Sequence, residues 1–354
     1  MNHTHHIDWI DKAKGLAILG VVACHSIWPF HLPNVIADIA YAGRYGVSLF
    51  FIISAYLTFQ SLDRNNESAL TAKTYFKFLF HKILRLVPVL YIAILWQFAQ
   101  YSISIGKIPD ISDTIWQHVL YAATFTNGFS FRHFNPWFNW YIGTLVIFLA
   151  LSPIIHKYIN TSLRSVFLFL VTLILSWVIK NILNHYGIDT NDFFYYGWFP
   201  AQLPVMSLGI VFYYLLKTVP SQSNHKAIKK LGIIISICLL LSLCAGMQVM
   251  QFHITIGILL LILSYSAFNN QRRIFNWLIP LGRNCYGIYL FHGCFVYMNI
   301  IPAVSTRFGI DTSSLIFFFI YYILLVFLSM ICSQLANKYI EKPFFKFTNR
   351  KLGI

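Results

Sequence analysis

Acidic residues are scarce in this 354-residue chain: 11 Asp and Glu stand against 26 Lys and Arg, and charged residues of every kind make up only 10%. A soluble domain carries roughly 25% charged residues, so a water-exposed globular surface is excluded. No Asp or Glu falls clearly in the middle of an apolar run, which weakens a proton-coupled transporter built on buried carboxylates. Pro/Gly/Ser linkers, low-complexity tracts and long polar segments are missing too, so residues 1–354 read as a single membrane domain. Cys24, Cys238, Cys244, Cys285, Cys294 and Cys332 lie within or beside apolar runs. They read as small buried hydrophobes, which excludes a disulfide framework. Residues 1–32 lack a small-residue cleavage site and carry Asp8 and Asp11 ahead of the apolar run. The first helix is therefore expected to remain in the mature protein.

What fills the chain is hydrophobic: 58% of residues, with a mean hydropathy of +0.64. Ten apolar runs follow one another at 14–32, 45–60, 84–105, 137–156, 165–184, 194–216, 231–250, 252–269, 281–301 and 313–336. Each is near the ~20 residues that a hydrocarbon core requires. The expected fold is all-α, a polytopic integral membrane protein with about ten transmembrane helices around a polar cavity. With the N-terminus cytoplasmic, every Lys and Arg falls on the cytoplasmic side except Arg44, Lys107, Arg132, Lys180 and Arg307. That asymmetry predicts a cell inner membrane protein with both termini in the cytoplasm. The formal net charge of +15 then answers to anionic inner-leaflet lipid, and no nucleic acid is needed as a partner. His3, His5 and His6 read as a solvated tail, and no metal site is expected.

Ionisable groups inside a bilayer are costly and mark function by default. The first run carries Lys14 and His25. Eleven residues of α-helix make about three turns plus roughly 20°, so both side chains project from one face with His25 about 16 Å deeper. Each has an ordinary reading when taken alone: a lysine at a helix end snorkels, and a histidine in a span hydrogen-bonds a neighbouring helix. Aligned, they present a grip for an anion above an imidazole, the side chain that ordinarily titrates near neutral pH and suits proton transfer. The ninth run begins Leu281-Gly282-Arg283-Asn284-Cys285-Tyr286-Gly287-Ile288-Tyr289-Leu290-Phe291-His292. It sets a second cation about 14 Å above a second imidazole, so two such helices would face one cavity. The ordinary alternative there is a structural histidine among interface tyrosines. Arg85, at the cytoplasmic end of the third run, adds a further cation.

These blocks resemble the membrane acyltransferase 3 family. Asp11-Lys12-Ala13-Lys14-Gly15 through His25 is similar to its opening signature, a basic residue, ten residues and a histidine. Ser48-Leu49-Phe50-Phe51-Ile52-Ile53-Ser54-Ala55-Tyr56-Leu57 resembles its Phe-Phe-x-x-Ser-Gly-Tyr-Leu segment. Lys82-Ile83-Leu84-Arg85-Leu86-Val87-Pro88 resembles its Arg-x-x-Arg segment, and Trp140 to Pro153 has the spacing of its fourth helix. The Leu281 to His292 block and Glu341-Lys342-Pro343 are similar to its remaining motifs. Departures are Lys14 for the commoner Arg, Ala55 for Gly, Lys82 for Arg and Cys285 for Ser, with Leu145-Val146 where one branch carries Glu-Glu. No esterase-like extension follows the membrane region, so this chain is expected to complete the transfer itself or hand over to a separate protein.

The resemblance implies an O-acyltransferase moving an acyl group, usually acetyl, from cytoplasmic acyl-CoA to a hydroxyl of an envelope glycan such as a polysaccharide or lipopolysaccharide. Acetyl-CoA would be the donor, with no cofactor bound permanently. Lys14, Arg85 and Arg283 would hold the donor phosphates, and Ser54 and Tyr56 would belong to the same donor site. His25, with His292 and Lys14, would carry the chemistry, either as a general base or by accepting the acyl group itself. On the external side Arg132, His133, Asn135, Trp137 and Trp140 offer cations, amides and aromatic faces to a sugar, or else form an interfacial aromatic belt. The competing classes are a transporter or flippase for a glycan or lipid-linked acidic substrate, and a structural partner in an envelope complex.

Overall fold

Backbone polar groups in lipid must be satisfied within the segment that carries them, which favours helices. The computed structural model describes residues 8–64, 71–129, 140–188, 190, 193–218, 254, 257–262, 264–265, 273–296, 305, 307–309 and 311–352, and every regular element among them is helical. In chain order these are α1 (Asp8–Ser26), α2 (Asn34–Ala42), a 3-10 turn at Gly43–Tyr45, α3 (Gly46–Arg64), α4 (Ala72–Leu84), α5 (Val87–Ser104), α6 (Thr114–Ala123), α7 (Trp140–Tyr158), α8 (Ser162–His185), α9 (Phe193–Gly197) and α10 (Phe199–Thr218). There follow α11 (Leu278–Arg283), α12 (Cys285–Val296), α13 (Leu315–Ala336) and, past a π turn at Asn337–Glu341, α14 (Lys342–Leu352).

Six helical stretches among the described residues are long and apolar enough to cross a membrane: Asn34–Arg64, Val87–Ser104, Trp140–Tyr158, Ser162–His185, Phe199–Lys217 and Leu315–Thr348. The expected run 14–32 is a helix that starts earlier, at Asp8, and ends at Ser26; Asp8, Asp11, Lys12 and Lys14 set it apart from the six. The expected run 281–301 is broken at Asn284, whose side-chain amide donates to the Pro280 carbonyl at 2.8 Å and ends α11. The run 231–250 lies outside the described residues, and 252–269 is described only in short stretches.

One compact unit comprises Met1–Val47, Leu84–Ala123 and Ser264–Ile354. Within it α1 packs against α2, the Gly43–Tyr45 turn, α11, α12 and α13. Gly20 and Gly43 meet backbone to backbone, and a Cβ on Gly43 would fall on the Gly20 carbonyl. Small residues serve here because lipid tails provide no hydrophobic drive between helices, so close van der Waals contact has to supply the attraction. On α13, Phe318, Leu325, Ser329, Ser333 and Ala336 are buried while Ile316, Phe319, Ile320, Ile323, Leu324 and Phe327 are exposed. A bilayer solvates that outer face, where water would not. The Ser333 hydroxyl donates to the Asn284 carbonyl at 3.2 Å and so braces the break between α11 and α12.

The other unit comprises Ser48–Ile83 and Thr124–Leu263. Here α10 packs against α7, α8 and α9. Hydroxyls buried between these helices are paired: Thr144 Oγ1 donates to the Gly197 carbonyl at 2.8 Å, and Thr172 Oγ1 lies 3.0 Å from Ser207 Oγ. At the end of α3, Asp63 accepts from the Tyr213 hydroxyl and from Lys217 Nζ, both at 2.5 Å, with His156 Nε2 at 3.7 Å. One carboxylate thereby joins α3, α7 and α10.

Candidate functional site

The first turns of α1 carry Asp8 and Asp11, acidic side chains that complement the positive end of the helix dipole. Two cations converge on Asp11. Lys14 Nζ lies 3.3 Å from Asp11 Oδ1, and Arg283 Nε donates to Asp11 Oδ2 at 3.1 Å. The Asp11 side chain is 4% exposed, against 21% for Lys14 and 45% for Arg283. A buried carboxylate needs such partners, since desolvating it unpaired is prohibitive. Close packing of α11 on α1 makes the contact possible: Gly282 sits on the Asp11 carbonyl and Gly15 on the Leu278 carbonyl, where a Cβ on either would collide. Two cations on one carboxylate leave an excess positive charge, with the half-exposed Arg283 head open to an anion.

At the far end of the same two chain segments the histidines meet. His25 Nδ1 and His292 Nε2 are 2.9 Å apart, with ring centroids 5.1 Å apart and planes tilted by 31°. His292 is buried and its Nδ1 lies 3.1 Å from the Ile288 carbonyl, a group that only accepts. The network therefore assigns the tautomers. Nδ1–H of His292 donates to Ile288, so Nε2 of the neutral ring is an acceptor; Nδ1–H of His25 donates to it; and the lone pair of neutral His25 is left on Nε2. Half-buried His25 also has the exposed Trp28 ring edge-on at 5.7 Å, and His292 has Tyr289 at 5.8 Å. The arrangement offers one basic nitrogen with its partner nitrogen tied down, beneath a cation cluster.

The structure thus sets four residues singled out from the sequence in two pairs, Lys14 with Arg283 on Asp11 and His25 with His292, at opposite ends of the contact of α1 with α11 and α12. Arg85 belongs to the same unit and is exposed in the turn before α5; beside it the Leu86 carbonyl accepts from the Tyr286 hydroxyl at 2.6 Å, which fixes the start of α12. Ser54, Tyr56 and Trp140 belong to the other unit. Ser54 Oγ lies 3.1 Å from the Tyr141 hydroxyl, Tyr56 packs on Phe212 and Tyr213, and Trp140, 7% exposed, packs on Phe51 and Tyr196. Arg132, His133, Asn135 and Trp137 lie outside the described residues. Among the described residues no three His, Cys, Asp or Glu side chains come together to hold a metal ion. Asp11 is the site residue that sequence reasoning missed; its i, i+3 spacing to Lys14 was the available signal.

The family model of the acyltransferase domain, acyltransferase 3, matches residues 7–334, a span that takes in both histidines and both cations that converge on Asp11. No curated protein and no solved structure matches the chain. With nearly its whole length matched, this membrane protein belongs to the acyltransferase 3 family.

Proposed function

We propose that the protein is an inner-membrane O-acyltransferase, moving an acyl group, acetyl in the first instance, from cytoplasmic acyl-CoA to a hydroxyl of an envelope glycan. The observation that carries this reading is the 2.9 Å contact between His25 Nδ1 and His292 Nε2, which leaves the lone pair of neutral His25 on Nε2. The donor is a polyanion, and the excess positive charge around Lys14 and Arg283 suits its phosphates, with Arg85 as a further contact. Lys14 supplies a point charge where an Arg would give a bidentate fork.

In the chemical step the acceptor oxygen attacks the thioester carbonyl while His25 Nε2 takes the hydroxyl proton. The carbon–oxygen bond forms, the carbon–sulfur bond breaks, and the departing thiolate recovers the proton from His25. His292 stabilises the transient imidazolium through the Nδ1–H hydrogen bond and keeps the reactive nitrogen in its orientation.

Membranes containing the protein, given acetyl-CoA labelled in the acetyl group, should release CoA thiol and pass label to envelope glycan. His25→Ala should insert normally, since it only removes a polar group from a span, yet lose at least the ~10²-fold that general-base catalysis supplies. Transfer by His25→Ala at the wild-type rate would remove the histidine from the chemistry. A labelled acyl-histidine trapped on the wild-type protein would replace the general-base step with a covalent one.

A further inference from the structure

Trp28 stands just past the end of α1, three residues and so about one turn beyond His25 on the same side of the chain. Its ring lies edge-on to the His25 imidazole, with centroids 5.7 Å apart and planes at 88°, yet the side chain is 55% exposed. The segment that carries it is fixed on both sides. Ser26 Oγ donates to the Ala23 carbonyl at 2.8 Å, and the Phe30 N–H closes a turn onto the Ile27 carbonyl at 2.9 Å. Phe30 is buried against Phe317, Phe318 and Tyr321 of α13, and the His31 N–H donates to the Thr312 carbonyl at 3.1 Å. A rigid aromatic held out from an anchored turn loses little conformational freedom when a ligand covers it. The neighbouring rim is polar, with His31, Asp311 and Ser313 exposed. This end of α1 is opposite to the one where Lys14 and Arg283 meet Asp11, about 16 Å away along the helix.

We infer that Trp28 is an acceptor-binding residue, whose indole stacks on a sugar ring and presents one of its hydroxyls to His25. The inference rests on the acyltransferase reading of the His25–His292 pair. In that reading the donor phosphates occupy the Lys14–Arg283 end, so the thioester reaches His25 from that side. The group that arrives past Trp28 is then the acceptor. An indole face is apolar and electron-rich, which suits the C–H groups on one face of a pyranose and leaves the hydroxyls at the edge of the sugar ring. The 5.7 Å between the two side-chain rings is within the span of a pyranose with its hydroxyls, so a sugar on the indole can touch the imidazole. A phosphate gains nothing from an electron-rich face, and anchoring in lipid headgroups gives the ring no reason to lie against His25.

The test uses the full chain in membranes, labelled acetyl-CoA, and as acceptor the host's envelope polysaccharide stripped of acyl esters by mild alkali. Trp28→Leu keeps apolar bulk and loses the aromatic face, whereas Trp28→Tyr keeps the face. Trp28→Leu should raise the acceptor KM at least roughly tenfold with the acetyl-CoA KM within about twofold, and Trp28→Tyr should stay within about threefold of wild type. An acceptor KM within about twofold of wild type in Trp28→Leu overturns the inference. So does an equal rise in Trp28→Tyr, or a fall in kcat alone, which makes the ring a support for His25. Failure of Trp28→Leu to fold overturns it too, since the ring is then a packing element. Calorimetric binding of the same polysaccharide to purified protein needs no turnover, and its Kd should follow the acceptor KM. Wild-type protein that binds polysaccharide through Trp28 without transferring acetyl overturns the acyltransferase reading and leaves the sugar platform standing. Transfer undiminished in Trp28→Leu does the reverse, and a wild-type protein that neither binds nor transfers overturns both.

Discussion

Asp11 holds the cation cluster through one buried carboxylate, and its removal separates charge from shape. Asp11→Asn keeps the side-chain outline but leaves Lys14 and Arg283 facing each other without a counter-charge. Removing one member of a fully buried pair costs about 3–5 kcal/mol. The exposure of the two cations allows water to repay part of that, so about 1–3 kcal/mol is expected here. A lower Tm in detergent, partly restored by lowering the repulsion with Arg283→Gln, is the expected outcome; a variant as stable as wild type would show that the pair contributes nothing. The residue scale is also where the sequence was most informative. Lys14, His25, Arg283 and His292 were legible because each is a polar group in an apolar run at helical spacing. The link from Asp11 to Arg283 crosses 272 positions of chain and exists only when α11 docks on α1.

Docking of α11 on α1 is the element-scale requirement for both ends of the site. Gly282 seats directly on the Asp11 backbone, so Gly282→Val has to drive the two helices apart. Overpacking of this kind costs about 1–3 kcal/mol. The functional effect should be larger, because the same displacement separates His25 from His292, and a 1 Å misplacement can cost ~10²-fold in rate. Gly282→Val is expected to insert and yet transfer acyl groups at least ~10²-fold more slowly; wild-type transfer would show that the helix contact does not position the histidines. Several elements were hidden in the sequence for physical reasons. α4 interleaves Lys73, Lys77 and Lys82 with Tyr75, Phe76, Phe78 and Phe80, so by composition it reads as a basic cytoplasmic loop. α6 and α14 are short and amphipathic. The break at Asn284 was invisible because the run continues apolar past it, and only the Pro280 and Ser333 hydrogen bonds reveal it.

At the scale of the whole molecule, the membrane class was legible from composition alone, and the apolar outer faces of α8 and α13 agree with it. In the topology expected from the sequence, all but five of the 26 basic residues fall on one side. Reporter fusions after Lys12 and near Gly106 should therefore give opposite sidedness, and the same sidedness at both would break that topology. Orientation bears on the proposed chemistry, because the cytoplasmic thioester and external hydroxyl that it invokes would meet at His25 only if the cation cluster opens inward. The most direct test of the central claim is mass spectrometry of the host's envelope glycans in three strains: one with the wild-type protein, one without it, and one with His25→Gln at equal membrane level. The expected result is an acyl mass increment on the glycan in the wild-type strain alone; glycans of identical mass in all three, or an increment sustained by His25→Gln, would contradict it.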